Sequence, residues 1–187
     1  AQVDSSISYL DAMEGIKSLI SDSVSKRLIS ERPVGIYLSG GYDSTLIAAI
    51  MKANGDSTIN SYSIGFEDPA YDESKYSREI ANYLGLNHHE QIISTNVDET
   101  VSEIFQKMDI PFADSSIFPT YLLNKFAASE IVVALTGDGG DEIFAGYDRY
   151  FATSLMHKYG NILELMPSRL PGKSERILKI NRKLARL

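Results

Sequence analysis

The 187-residue sequence predicts an α/β fold, a parallel, doubly wound sheet with helices on both faces. Three observations predict it. Apolar runs of strand length alternate with stretches of helical period. Two of those runs stop at glycine-rich loops, the usual ligand side of such a sheet. The composition, 43% apolar with 23% charged residues, is that of a globular chain long enough to bury a core.

Taken in order, Ile7, Leu10, Met13, Ile16, Ile20, Val24 and Leu28 recur every three or four residues. Residues 7–29 should therefore form a one-faced helix packed on the sheet and capped within Asp4 to Ser6. Pro33 stops it, and Val34 to Leu38 reads as a short buried strand ending in Ser-Gly-Gly. A helical run from Thr45 to Met51 follows. The next strand is expected at residues 59–65, then a helix from Asp72 to Leu84 ended by Gly85, then a strand at residues 88–93. Residues 97–108 and 115–128 read as helices, and Ile131 to Leu135 as a buried strand running into Thr-Gly-Asp-Gly-Gly. Tyr71, Tyr76 and Tyr83 are expected to pack along their helix. His88 and His89, adjacent on a strand, face opposite sides and cannot share one metal.

The net charge of −7 is uneven, because residues 167–187 hold seven Lys/Arg against one Glu, leaving 24 acidic and 11 basic residues before them. An acidic body argues against a broad nucleic-acid surface, which needs clustered cations. In the tail, Ile177, Ile180, Leu184 and Leu187 form an apolar stripe among cations, so residues 161–187 are expected to be a basic helical extension following a core at 1–160. The absence of cysteine removes disulfides, thiolate zinc sites and a thiol nucleophile. No stretch approaches the roughly 18 apolar residues of a membrane span, and the N-terminus lacks the layout of a secretory signal. A cytoplasmic protein with neither membrane nor nucleic acid as partner is the expectation.

The loop Ser39-Gly40-Gly41-Tyr42-Asp43-Ser44 joins a strand to a helix. Its glycines let main-chain N–H groups approach a ligand, the helix end adds donors, and Ser39 and Ser44 add hydroxyls, which together suit an anion. Asp43 would repel a polyphosphate unless a divalent cation lies between them, and this predicts magnesium. A lone Ser-Gly-Gly also fits a plain turn, with Asp43 and Ser44 capping the helix. The second loop, Thr136-Gly137-Asp138-Gly139-Gly140-Asp141-Glu142, crowds three carboxylates that repel one another unless a cation or a proton is shared. An Asx-rich turn leading into a helix is its plainer alternative.

The whole hexapeptide closely resembles the S-G-G-x-D-S pyrophosphate loop of the ATP pyrophosphatase (PP-loop) superfamily, which includes asparagine, GMP, argininosuccinate and NAD synthetases. Val34 to Ser44, Ser63 to Tyr71, Leu84 to Glu90, Pro111 to Tyr121 and Thr136 to Tyr147 narrow this, since they resemble the synthetase domain of glutamine-dependent asparagine synthetases over roughly residues 10 to 150. The resemblance implies ATP contacts at Tyr37, Ser39, Gly40, Gly41, Asp43, Ser44, Ile64, Thr136 and Gly137, although Ile64 suits the core equally well. It implies magnesium ligands at Asp43 and Asp141. It also puts Asp138 where many relatives have a glutamate proposed to take the proton from attacking ammonia. Asp114, Ser115 and Ser116 would border the acceptor carboxylate, or simply cap the next helix; the arginine that some relatives carry there is missing.

The reaction so implied is ATP-dependent adenylation of a carboxylate, the aspartate side chain, followed by amidation with ammonia to give asparagine, AMP and pyrophosphate. Related amidotransferases and cyclases act on other carboxylates, and a non-catalytic nucleotide-binding module is the alternative of a different class. In the family a glutaminase domain with an N-terminal cysteine supplies the ammonia, and a catalytic lysine lies well downstream of the second loop. Neither is found in this sequence, so a piece of a longer enzyme is expected, with a homodimer compatible with the resemblance.

Overall fold

The computed structural model describes residues 6–55, 58–69, 72–93, 97–110 and 114–164. Ala70, Tyr71, Pro111, Phe112 and Ala113 of the quoted motifs, and residues 165–187 of the expected basic extension, lie outside the described residues. The chain divides into two compact units, Ala1–Gly137 and Asp138–Leu187.

The first unit runs α1 (Tyr9–Leu28), β1 (Val34–Tyr37), α2 (Tyr42–Asn54), β2 (Asn60–Phe66), α3 (Ser74–Leu84), β3 (Asn87–Ile93), α4 (Val97–Lys107), α5 (Ile117–Ala127) and β4 (Val133–Leu135). Its four strands are all parallel in the order β3-β2-β1-β4. Gly35 pairs with Asn60 on one side and Ala134 on the other, so β1 is central and the winding direction reverses between β1 and β4. Alternation of side chains across each strand gives the sheet two apolar faces. On one, Ile36, Leu38 and Ile59 pack with Val24 of α1, Ala48 and Met51 of α2 and Ala81 of α3. On the other, Tyr62 packs with Ala127 of α5 and with Ile131, and Tyr37, Leu123, Phe126 and Ala134 close around them. Both faces are thus covered, and the doubly wound expectation holds.

Several boundaries move for physical reasons. The α1 cap is Ser8, whose hydroxyl accepts from the Asp11 N–H, rather than a residue within Asp4 to Ser6. Only the C-terminal half of α1 packs, through Ile20, Val24 and Leu28, while Leu10 and Leu19 are 69% and 70% exposed. A 20-residue helix is about 30 Å long and α2 about 20 Å, so α1 outruns its layer. The α3 helix turns small residues inward, Ser74, Ser77 and Ala81, and leaves Tyr76 and Tyr83 exposed, against the packing expected of those tyrosines. His88 and His89 do face opposite sides: His88 meets the Ser61 and Ser63 hydroxyls, and His89 stacks on the Tyr62 ring at 4.9 Å.

The second unit holds the short α6 (Gly140–Phe144) and α7 (Asp148–Glu164). Among the described residues, no helix is long and apolar enough to cross a membrane.

Candidate functional site

The chain leaves β1 at Tyr37, and the Leu38 N–H still donates to Tyr62 O at 2.9 Å before the backbone turns away from the sheet. Gly40 then takes a left-handed conformation, φ +86°, and Gly41 returns to an extended one as the N-cap of α2. Hydroxyls tie this turn together. The Ser39 and Ser44 oxygens are 3.1 Å apart, the Gly41 N–H donates to Ser39 Oγ at 3.2 Å, and the Ser39 N–H donates to Ser44 Oγ at 3.3 Å. Thr45, which sequence reasoning did not single out, donates its hydroxyl to Gly41 O at 2.6 Å. Its position, four residues after a glycine N-cap, was the available signal.

The helix begins at Tyr42, three residues before the run expected from apolar spacing. Asp43 and Ser44 therefore lie inside its first turn and cap nothing; Gly41 is the N-cap, and a glycine has no side chain to accept from the first N–H groups of the helix. This corrects the capping alternative. The first N–H groups of a helix have no intrahelical acceptor, and without a capping side chain they are directed at whatever occupies the loop.

Two close approaches wall the loop. A Cβ on Gly40 would lie 2.7 Å from Tyr76 Cβ and 3.1 Å from Ser77 N, so the first turn of α3 rests on it. A Cβ on Gly137, two residues past β4, would lie 2.6 Å from Ser44 N and 2.9 Å from the Asp43 carbonyl carbon. The loops after β1 and β4 are thus in contact at the switch point, where a doubly wound sheet opens a crevice. Asp72, also missed, locks α3 to β2: its carboxylate accepts from Ser74 N at 3.1 Å, Ser74 Oγ at 3.0 Å and Phe66 N at 3.3 Å. Those bonds hold its carboxyl below the usual range, those from Ser74 most. The spacing Asp-x-Ser before a helix was the readable sign.

The other expected ATP contacts are placed as follows. Tyr37 ends β1, and its hydroxyl donates to Asn124 Oδ1 of α5 at 2.7 Å, with burial pushing that phenol up. The β1–β2 pairing stops at Tyr37 and Tyr62, so Ile64, half-buried, runs past the end of β1. Thr136 directly follows β4. Asp114 and Ser116 form one turn leading into α5: the Ser116 N–H donates to Asp114 Oδ1 at 2.9 Å, and this bond lowers the carboxyl below its usual range. Ser115 lies between them, and its carbonyl accepts from Phe118 N at 3.3 Å.

Asp138 and Asp141 belong to the second unit. Asp138 is exposed in the turn before α6, and Asp141 and Glu142 form the first turn of α6. The Asp141 carboxylate folds back onto Gly146, where any side chain would collide with it, and Gly146 N donates to Asp141 O at 3.0 Å. Tyr147 donates to Glu142 Oε1 at 2.7 Å, which lowers that carboxyl, and the Arg149 guanidinium lies 4.1 Å over the Tyr147 ring. Within this unit Asp141 and Glu142 are thus held apart, on Gly146 and on Tyr147.

A parallel sheet that reverses order beside a hydroxyl-tied, glycine-walled loop opening into a glycine-capped helix defines a doubly wound α/β domain with a candidate anion loop at its switch point. The chain belongs to the asparagine synthase family, whose model, Asparagine synthase, matches residues 15–186. It is 32% identical over 173 residues to asparagine synthetase (glutamine-hydrolyzing) 1 of Bacillus subtilis strain 168, covering 85% of this chain and 27% of that protein. It is 31% identical over 176 residues to the asparagine synthetase (glutamine-hydrolyzing) of Rattus norvegicus, covering 88% and 29%. An NMN synthetase structure from Francisella tularensis superposes on 72% of this chain and 58% of its own, with TM-score 0.49 and 16% identity. The chain spans less than a third of the length of the curated relatives it matches.

Proposed function

We propose that this chain is the ATP-activating part of an enzyme that converts a carboxylate, the aspartate side chain, into an amide. The observation that carries the reading is the Ser39–Ser44 loop at the switch point, with its crossed hydroxyls and a glycine-capped helix end. ATP places its β- and γ-phosphates in that loop, where main-chain N–H groups of α2 and the Ser39 and Ser44 hydroxyls balance their charge. The adenine lies along the main chain at the strand ends, beside Tyr37, Ile64, Thr136 and Gly137.

A carboxylate oxygen of the acceptor, bordered by Asp114, Ser115 and Ser116, attacks the α-phosphorus, and the bond to the bridging oxygen breaks to release pyrophosphate. Ammonia then attacks the acyl carbon of the adenylate, loses a proton to Asp138, and AMP departs. In the whole enzyme a glutaminase domain supplies that ammonia.

The donor set suits magnesium. Among the described residues no three His, Asp or Glu side chains form a ready cage, and magnesium ordinarily uses one or two carboxylates together with phosphate oxygens and water. Asp43, half-buried in the first turn of α2, and Asp141, by its motif, are the carboxylates that would hold that ion, which when bound would supply positive charge against the pyrophosphate.

The test is isotope exchange between pyrophosphate and ATP in the natural full-length product, with a panel of carboxylates. Exchange that depends on aspartate supports the reading. Release of ADP and phosphate would overturn it, and ATP binding with no carboxylate-dependent exchange would mark a binding module.

A further inference from the structure

The face of the sheet under α3 carries a buried polar chain that the proposed chemistry leaves unused. Ser61 and Ser63 of β2 are 0% and 4% exposed, and Ser77 of α3 is 1% exposed. His88 of β3 bridges the two strand serines, with Nδ1 2.9 Å from Ser61 Oγ and Nε2 3.2 Å from Ser63 Oγ. The Ser77 hydroxyl shares its proton between Ser74 O at 2.9 Å and Ser63 Oγ at 3.2 Å. Ser63 then has its own proton to give to His88 Nε2, which leaves Nδ1–H as the donor to Ser61, so a neutral imidazole satisfies every member. Burial favours that neutral form by lowering the His88 pKa. The nearby Glu90 carboxylate is taken by Arg78, at 3.1 and 2.6 Å.

The far end of this chain touches the anion loop. Ser77 N and Tyr76 Cβ form the wall against Gly40. The first turn of α3 has two polar ties to the sheet, Asp72 at its start and Ser77 one turn on, and the second runs through Ser63 to His88. Without Ser63 or its His88 partner, the Ser77 hydroxyl turns wholly to Ser74 O within its own helix, so this turn loses a tie to the sheet and the wall is free to shift.

We propose that His88 is a positioning residue for the anion loop, acting through Ser63 and Ser77 to hold the first turn of α3 against Gly40. The inference rests on the reading of that loop as an ATP phosphate site, and its test separates the two. Gln reaches the position of Nε2 and can accept from Ser63, whereas Asn reaches only the position of Nδ1 and serves Ser61. A merely structural imidazole would make the two changes alike.

The experiment measures amide hydrogen exchange at residues 40–44 of the full chain, and calorimetric binding of ATP with magnesium, in wild type, His88→Gln, His88→Asn, Ser63→Ala and Ser77→Ala. Tyr62→Phe, which removes a hydroxyl bond to Glu130 on the opposite face, serves as a destabilised control. His88→Asn, Ser63→Ala and Ser77→Ala are expected to speed loop exchange and weaken ATP binding about tenfold, with His88→Gln and the control near wild type. Ser77→Ala, the smallest change, keeps the test open if His88 variants fail to fold. Equal behaviour of His88→Gln and His88→Asn, or unchanged loop exchange in Ser63→Ala and Ser77→Ala, would overturn the proposal. If wild type binds no ATP while loop exchange still follows the relay, the positioning role stands and the ATP reading falls.

Discussion

Gly137 lies directly on the backbone of Asp43: a Cβ at residue 137 would come within 2.9 Å of the Asp43 carbonyl carbon. Gly137→Ala must therefore push the loop after β4 away from the first turn of α2. A destabilisation of about 1–3 kcal/mol, the usual cost of overpacking, is expected in urea unfolding. ATP affinity should fall with it. An unchanged unfolding midpoint would mean that the two loops are not in contact.

Asp43→Asn keeps the shape of the side chain and removes its charge. Because Asp43 caps nothing and sits inside α2, thermal unfolding should be nearly unaffected. Magnesium-dependent ATP binding should weaken by at least about tenfold, the loss seen even for groups one step removed from a metal. Binding without magnesium should not weaken, since a repulsive charge has gone. Loss of folding instead would return Asp43 to a structural role.

The proposed roles of the two aspartates of the second loop predict that they separate by reaction step. Asp138→Asn in the full-length product should preserve pyrophosphate exchange and depress amide formation, whereas Asp141→Asn should depress both. Equal losses in the two variants would remove Asp138 from its role as base. A base must reach its proton donor within about 3 Å or through one water, so Asp138→Glu is the informative rescue.

Tyr62 gives an alkaline signature. Its ring is fully buried, and burial first, then the hydrogen bond and the charge of Glu130, pushes the phenol from 10.0 up to about 12. A raised folded value means stability that is complete below pH 10 and lost as pH rises toward 12. Unfolding free energy should fall across that window, and Tyr62→Phe should flatten the fall. An ultraviolet titration in which no tyrosine is missing from the late phase of that variant would contradict this.

Asp72 gives the acid counterpart. Hydrogen bonds from Ser74 and Phe66 hold its carboxyl below 3.8, so its contribution is present above that value and disappears as pH falls through the lowered folded one. Asp72→Asn should reduce the slope of the acid limb in urea midpoints taken from neutral to low pH. The same variant should increase hydrogen exchange at Phe66, whose N–H it serves.

The strands and the two glycine loops were legible because parallel buried strands leave short apolar runs and phosphate-type loops leave glycines and hydroxyls. Asp43 was assigned to a loop because Tyr42 and Asp43 break the apolar period that marks a helix, whereas Gly41 sets the true start through its main chain. The tyrosines of α3 misled for a related reason. Spacing showed one face, but which face turns inward was decided by how closely Ser74 and Ser77 let the helix approach β2. The wall between Gly40 and Tyr76 joins segments distant in sequence, and no local pattern announces it.

The register Val34 to Val133 has a kinetic meaning. The central strand β1 leaves the ribosome about a hundred residues before its neighbour β4, and such long-range pairing is slow to close. Until β4 arrives, one edge of β1 stays open and Gly137 cannot reach α2. A nascent chain therefore exposes a sticky strand edge while those hundred residues are made, and the contact between the loops after β1 and β4 forms only when that edge is closed.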